Sequence, residues 1–240
     1  MSYSLNNTNY ISNSFLLNSI SSYVVIFDGK LSSYLSTTSS FLISNSSISS
    51  NTEQTCSYAL YLASNCPVTV VDTTSEIVTV ESYYLFQIDY VTKATFYNVT
   101  SMDNIMTLIY FVHTLTFHIN TLTCSNTIAS TSVLDQSCIY MSDFKKLNFT
   151  MTNSIFYNKY LSNTYLIEGT SSEYSSGSSS YDGNFTIYNT TFKGINLATQ
   201  NAFYMSSQIY MNSLQVLLIN ITNSTFSDVS YSTPQRLFYS

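Results

Sequence analysis

Apolar and polar positions along this chain fall into a short recurring frame. An apolar residue, any residue, a second apolar residue and any residue lead to Asn, and a bulky apolar residue follows three positions later. The clearest copies are Phe149-Thr-Met151-Thr-Asn153 with Phe156, Phe185-Thr-Ile187-Tyr-Asn189 with Phe192, and Ile219-Asn-Ile221-Thr-Asn223 with Phe226. With the Asn numbered zero, the same frame places Asn13, Asn45, Asp72, Asn98, Thr121, Asn153, Asn189 and Asn223 at that position, at steps of 23 to 36 residues. A period of this size with a short strand in each copy points to a stacked, one-dimensional repeat architecture.

Strand alternation puts positions minus four and minus two on one face, the inner one. The Asn is expected to point inward at a bend and to hydrogen-bond the Asn of the next repeat, as in ladders of stacked parallel strands. The residue at plus three then re-enters the core. A second apolar segment follows each frame, at Leu85-Phe86, Leu108-Ile109, Cys138-Ile139-Tyr140, Leu166-Ile167, Phe203-Tyr204 and Leu237-Phe238. Plus five is often a turn residue: Asn18, Asp103, Asn126, Asn158, Gly194 and Asp228. No segment carries a sustained helical apolar stripe, so helix content should be near zero. The stretch 169–183, rich in Ser, Gly and Tyr, reads as a mobile surface loop. The expectation is an all-β chain, residues 1–240 as one right-handed parallel β-helix of about eight coils, either a segment of a longer solenoid or a stacking subunit.

Composition sharpens this picture. Of 240 residues, 45% are hydrophobic and only 8% charged, so disorder is excluded, and Ser, Thr and Asn supply the polar surface. Such a surface suits an extracellular or cell-surface protein. The net charge of −6, with 7 Lys plus Arg, excludes nucleic acid as a partner. No apolar run is long enough to predict a membrane span, and the opening residues do not read as a signal peptide.

The segments Asn153-Ser-Ile-Phe156, Asn189-Thr-Thr-Phe192 and Asn223-Ser-Thr-Phe226 resemble the Asn-Ser-x-Phe repeats of large surface proteins, those of ciliates and other protists and the polymorphic outer-membrane proteins. More broadly, the pattern resembles the right-handed parallel β-helix of the pectin-lyase-like superfamily. The companion Gly-Gly-Ala-Ile segment is reduced here to Asn201-Ala-Phe-Tyr204. The resemblance implies a fold, and carries little about function.

That superfamily includes polysaccharide lyases and hydrolases, but their groups are missing. There is no Gly-His-Gly, Arg236 lacks the companion Lys, and the acids Asp72, Glu76, Glu81, Asp89 and Asp103 are scattered rather than clustered. His113 and His118, five apart in a strand, face opposite ways and make no shared metal site. No catalytic, cofactor or metal residue is therefore assigned. Cysteine spacing favours two local disulfides, Cys56–Cys66 and Cys124–Cys138, over buried thiols. N-glycosylation sequons begin at Asn6, Asn45, Asn98, Asn148, Asn184, Asn189, Asn220 and Asn223. The inward expectation for the ladder removes Asn45, Asn98, Asn189 and Asn223, leaving Asn148, Asn184, Asn220 and Asn6 to carry covalent N-glycans.

The functional expectation is a non-catalytic extracellular rod in a coat, adhesin or fibre. No polar capping helix or charged strand covers either end, so its partner is another copy, stacked head to tail, or more of the same polypeptide. The alternatives are a carbohydrate lyase or hydrolase of the same fold, or a glycan-binding module with outward Tyr residues lining a groove.

Overall fold

The structure, a computed structural model, describes residues 8–12, 15–17, 23–28, 40–49, 58–63, 67–76, 84–103, 107–114, 116–126, 138–142, 147–161, 165–171, 182–197, 203–207, 216–231 and 238–239. Among these there is no helix, and every strand pairing is parallel. The chain is thus all-β, built from long parallel sheets.

The first sheet runs β1 (Thr8–Ser12), β4 (Ser40–Ser44), β7 (Val68–Glu76), β9 (Lys93–Met102), β11 (Thr116–Ser125), β13 (Asn148–Thr152), β17 (Asp182–Tyr188) and β21 (Val216–Thr222). It is extended sideways by β2 (Phe15–Leu17), β5 (Ser47–Ser49), β14 (Ile155–Tyr157), β18 (Thr191–Lys193) and β22 (Thr225–Ser227). The second sheet stacks β3 (Tyr23–Asp28), β6 (Tyr58–Ala63), β8 (Tyr84–Asp89), β10 (Thr107–Val112), β12 (Ile139–Ser142), β16 (Ile167–Ser171), β20 (Phe203–Ser207) and β24 (Phe238–Tyr239). A third, small sheet joins β15 (Tyr160–Leu161), β19 (Asn196–Leu197) and β23 (Ser230–Tyr231).

The chain therefore visits the sheets in a fixed rotation, and each visit lands beside the previous one. Register follows the sequence frame: Phe41 pairs Val68, Val68 pairs Ala94, Ala94 pairs Phe117, Phe117 pairs Phe149, Phe149 pairs Phe185 and Phe185 pairs Ile219. This minus-four column and the minus-two column (Ile43, Val70, Phe96, Ile119, Met151, Ile187) are buried up to β17. Opposite them stand Phe86, Ile109, Ile139, Ile167 and Phe203 of the second sheet, also buried and in one register row. Each such side chain contributes roughly 1.5–3 kcal/mol by leaving water. A one-residue slip would turn a whole row to solvent, which fixes the register.

Two expectations need correction. The stretch 169–183 is not wholly a loop. Gly169 to Ser171 belong to β16, and Asp182 and Gly183 open β17; residues 172–181 lie outside the described residues. Gly183 is required where it stands, because a Cβ there would lie 2.5 Å from the Leu147 carbonyl oxygen.

The second correction concerns the ladder. Asn45, Asp72, Asn98, Thr121, Asn153, Asn189 and Asn223 are all exposed rather than inward. Each adopts left-handed backbone geometry, with φ between 47° and 60°. Asn and Asp tolerate that region better than other residues bearing a Cβ. A left-handed residue shifts the phase of the in–out alternation by one position, so plus one and plus three point inward and zero points out. Ser46, Thr73, Val99, Leu122, Ser154 and Thr190 are accordingly buried, as are Ser75, Ser101, Cys124, Phe156 and Phe192. Asn13 lies outside the described residues.

Candidate functional site

The bend at position zero concentrates the polar chemistry of the first sheet. On its outside, amides bond from one repeat to the next. Asn98 Nδ2 donates to Asp72 Oδ1 at 2.7 Å, and Asn189 Nδ2 donates to Asn153 Oδ1 at 2.7 Å. Thr121 interrupts this series, and its neighbour Asn120 takes over: Asn153 Nδ2 donates to Asn120 Oδ1 at 3.0 Å. In all three cases the later repeat donates and the earlier one accepts. Asp72 fits this direction because a carboxylate accepts from Asn98 and has nothing to donate.

On the inside of the same bend, hydroxyls serve the backbone. Ser46, Thr73, Ser154, Thr190 and Ser224 each donate to the carbonyl two residues back, at 2.9 to 3.1 Å. Ser154 Oγ also accepts the Leu122 amide at 3.1 Å, and Ser224 Oγ accepts the Thr190 amide at 3.3 Å. Sequence reasoning missed this hydroxyl column. Its signal was the Asn-Ser or Asn-Thr dipeptide at four of the described bends, those of Asn45, Asn153, Asn189 and Asn223. The second bend, at plus five, repeats the left-handed geometry at Asp103, Asn158, Gly194 and Asp228.

A third bend follows the second sheet at Tyr90 and His113, again with φ of 56° and 52°. The two rings stack at 4.2 Å, and His113 Nδ1 lies 3.5 Å from Asp89 Oδ1. This is the closest pairing of an acid with a histidine among the described residues. His118 stands elsewhere, on the outer face of β11 between Thr95 and Thr150. No group of three or more His, Cys, Asp and Glu able to hold a metal occurs among the described residues. Asp72 is in the first bend, Asp103 in the second and Asp89 in the third, so these acids do not converge. Glu81 and Arg236 lie outside the described residues.

Tyr84, Tyr110 and Tyr140 stack on the second sheet, with centroids 4.1 and 5.0 Å apart. The Tyr110 and Tyr140 hydroxyls hydrogen-bond Ser142 and Thr170. These rings spend faces on one another, which leaves less of them to stack on a sugar.

No protein-family model, curated protein or solved structure matches this chain. The arrangement must therefore be read from its own geometry.

Exposure no longer separates the sequons. Asn148, Asn184 and Asn220 are exposed, but so are Asn45, Asn98, Asn189 and Asn223. Hydrogen bonding separates them instead, since the Asn98 and Asn189 amide nitrogens, the atoms a glycan would occupy, are engaged in the ladder. Asn148 and Asn184 pair in register on adjacent strands, so their side chains are neighbours. Asn6 lies outside the described residues, as do Cys56 and Cys66. Cys124 and Cys138 are buried as thiols with their sulfurs 3.0 Å apart, in contact rather than covalently joined.

At the β21 side the architecture presents an open edge. The strands β21, β22 and β23 each pair on one side only among the described residues. Ile219, Ile221, Phe226 and Val229, which continue the buried columns, are there only partly covered. Phe226 ends a stack that runs Phe156–Phe192–Phe226 at 5.1 and 4.7 Å.

Proposed function

We propose that this chain is a right-handed parallel β-solenoid of about eight coils and a non-catalytic structural protein of an extracellular or cell-surface layer, extended by coil-on-coil stacking of copies or by more of the same polypeptide. It would belong with the Asn-Ser-x-Phe repeat surface proteins that its motifs resemble. Right-handed winding is the sense that parallel crossovers take almost without exception.

The stacking itself carries the reading: each repeat pairs in register with the next, and β21, β22 and β23 have a partner on one side only among the described residues. Three strand edges and four partly covered apolar side chains are arranged to the outline of one coil. Unpaired strand edges of this kind recruit further strands. An occupant must bring three parallel strands at these same angles, with an apolar inner face and an Asn at each first bend. The β1 and β2 edges of a second copy would meet β21 and β22 in this way, and so would more of the same polypeptide. The ladders and aromatic stacks support a passive role, since they maintain repeat geometry and converge on no reacting centre.

The test is sedimentation velocity over a hundredfold range of concentration, with negative-stain imaging of the associated fraction. Linear assemblies that lengthen with concentration are expected. The paired change Ile221→Lys and Val229→Lys places charge on the open edge and should leave monomers, with folding checked by far-ultraviolet circular dichroism. Monomers of the parent chain throughout the range would overturn self-association. Antibody labelling of intact source cells, compared with permeabilised ones, tests the surface location separately.

A further inference from the structure

We propose that Cys124 and Cys138 are an oxidation site and close an intramolecular disulfide that staples the first sheet to the second through the interior. Cys124 lies on β11 at plus three and points inward; Cys138 stands immediately before β12. They are 14 residues apart in sequence, and their sulfurs approach to 3.0 Å. Two sulfurs that close lie about 1 Å beyond a disulfide bond and need only a small further approach to form one. The Cys138 amide donates to the Leu166 carbonyl at 3.0 Å, which anchors that side of the pair to the next repeat. On the other side, register places Cys124 between Ser101 and Phe156.

The chemistry balances with a small disulfide such as oxidised glutathione as the oxidant. One cysteine thiolate attacks a glutathione sulfur and expels one glutathione thiolate. The other cysteine then attacks the mixed disulfide at the protein sulfur and expels the second. The protein loses two protons and two electrons, and two glutathione thiols are formed. Both sulfurs are buried, at 3% and 1% exposure, so the exchange takes place while the core closes or when this part of it opens. A stable disulfide here belongs to an oxidising compartment. The proposal concerns the thiol chemistry of this pair and stands independently of coil-on-coil assembly.

The experiment refolds the full chain from urea in a buffer of reduced and oxidised glutathione. The product is alkylated under denaturing conditions, and peptides are mapped with and without later reduction. The expected result is a cross-linked pair of peptides containing Cys124 and Cys138, lighter by two hydrogens than the separate thiol peptides. Those two residues should become alkylated only after reduction. Cys124→Ser should leave Cys138 open to alkylation, and Cys138→Ser should do the same for Cys124. Complete alkylation of both cysteines in refolded parent protein would overturn the proposal, as would pairing of either with Cys56 or Cys66. Mapping the parent chain decides the matter even if a variant fails to refold. A lower thermal midpoint after reduction would show that the link restrains the folded chain.

Discussion

The repeats containing β9 and β11 turn the first bend differently from those containing β13, β17 and β21. In the former pair the strand runs unbroken for ten residues through the left-handed position, with Val99 and Leu122 at plus one and the small residues Ser101 and Cys124 at plus three. In the latter group the strand breaks at the bend, plus one is Ser154, Thr190 or Ser224, and plus three is Phe156, Phe192 or Phe226. Positions one and three both point inward, so the larger residue has moved from one to the other. The second sheet compensates too. Phe111 of β10, the strand that follows β9, holds the register row that Met141 and then Gly169 occupy later. Interiors are packed near crystal density, and a bulky ring added in one place must be matched by space in another. The bend itself is backbone geometry and is common to both groups. What differs is which wall of the interior supplies the aromatic ring.

An accepting hydroxyl accompanies the break, whereas Thr73, whose hydroxyl donates to Val71, sits within the unbroken β7. Leu122 and Val99 continue the backbone ladder through the bend. In the next repeat Ser154 Oγ accepts the Leu122 amide, so a side chain replaces a carbonyl and the pairing lapses at Thr121 and Leu122. The same substitution recurs where Ser224 accepts the Thr190 amide.

The most damaging way to break this contrast is Phe192→Ala. Its ring lies between those of Phe156 and Phe226 and meets Phe203 edge-on at 5.4 Å. The expected loss is about 3–5 kcal/mol, read by urea denaturation. A sharper test exchanges the two designs within one repeat. Cys124→Phe alone overpacks and should cost about 1–3 kcal/mol. Adding Leu122→Ser to it installs the Ser-and-Phe arrangement of the later repeats, and the double variant should be more stable than the sum of the singles predicts, with a coupling of about 1 kcal/mol or more. Strict additivity would mean that the two positions do not share a volume. The smallest change is Ser154→Ala, which leaves the Leu122 amide without its acceptor. A destabilisation of about 1–2 kcal/mol is expected, with faster amide exchange at Leu122.

Much of the stacking was legible because alternation has only two phases. Once Phe149, Met151 and Asn153 were aligned with Phe185, Ile187 and Asn189, the register of the first sheet followed. The direction of Asn153 was not legible by the same rule. Counting by twos assumes extended backbone, and one left-handed residue inverts every side chain after it. The hydroxyl column was hidden for that reason, since Ser154 seemed to face outward. The strands β15, β19 and β23 escaped because two residues are too few to display a period. Gly183 read as a loop residue until the Leu147 carbonyl supplied the reason for a missing side chain. The pairing of Asp89 with His113 depends on bends 24 residues apart coming into line, which no local pattern encodes.

The outer amides have one more consequence. Asn98, Asn153 and Asn189 all give their protons toward the earlier repeat, and Asn153 offers its oxygen to the later one. The row is a vector, because every bond in it runs the same way along the stack. A repeat added in the same sense would continue that direction. If copies stack as proposed, their head-to-tail contacts would be heterologous, and would build an open fibre unless the rotation from copy to copy closed a ring.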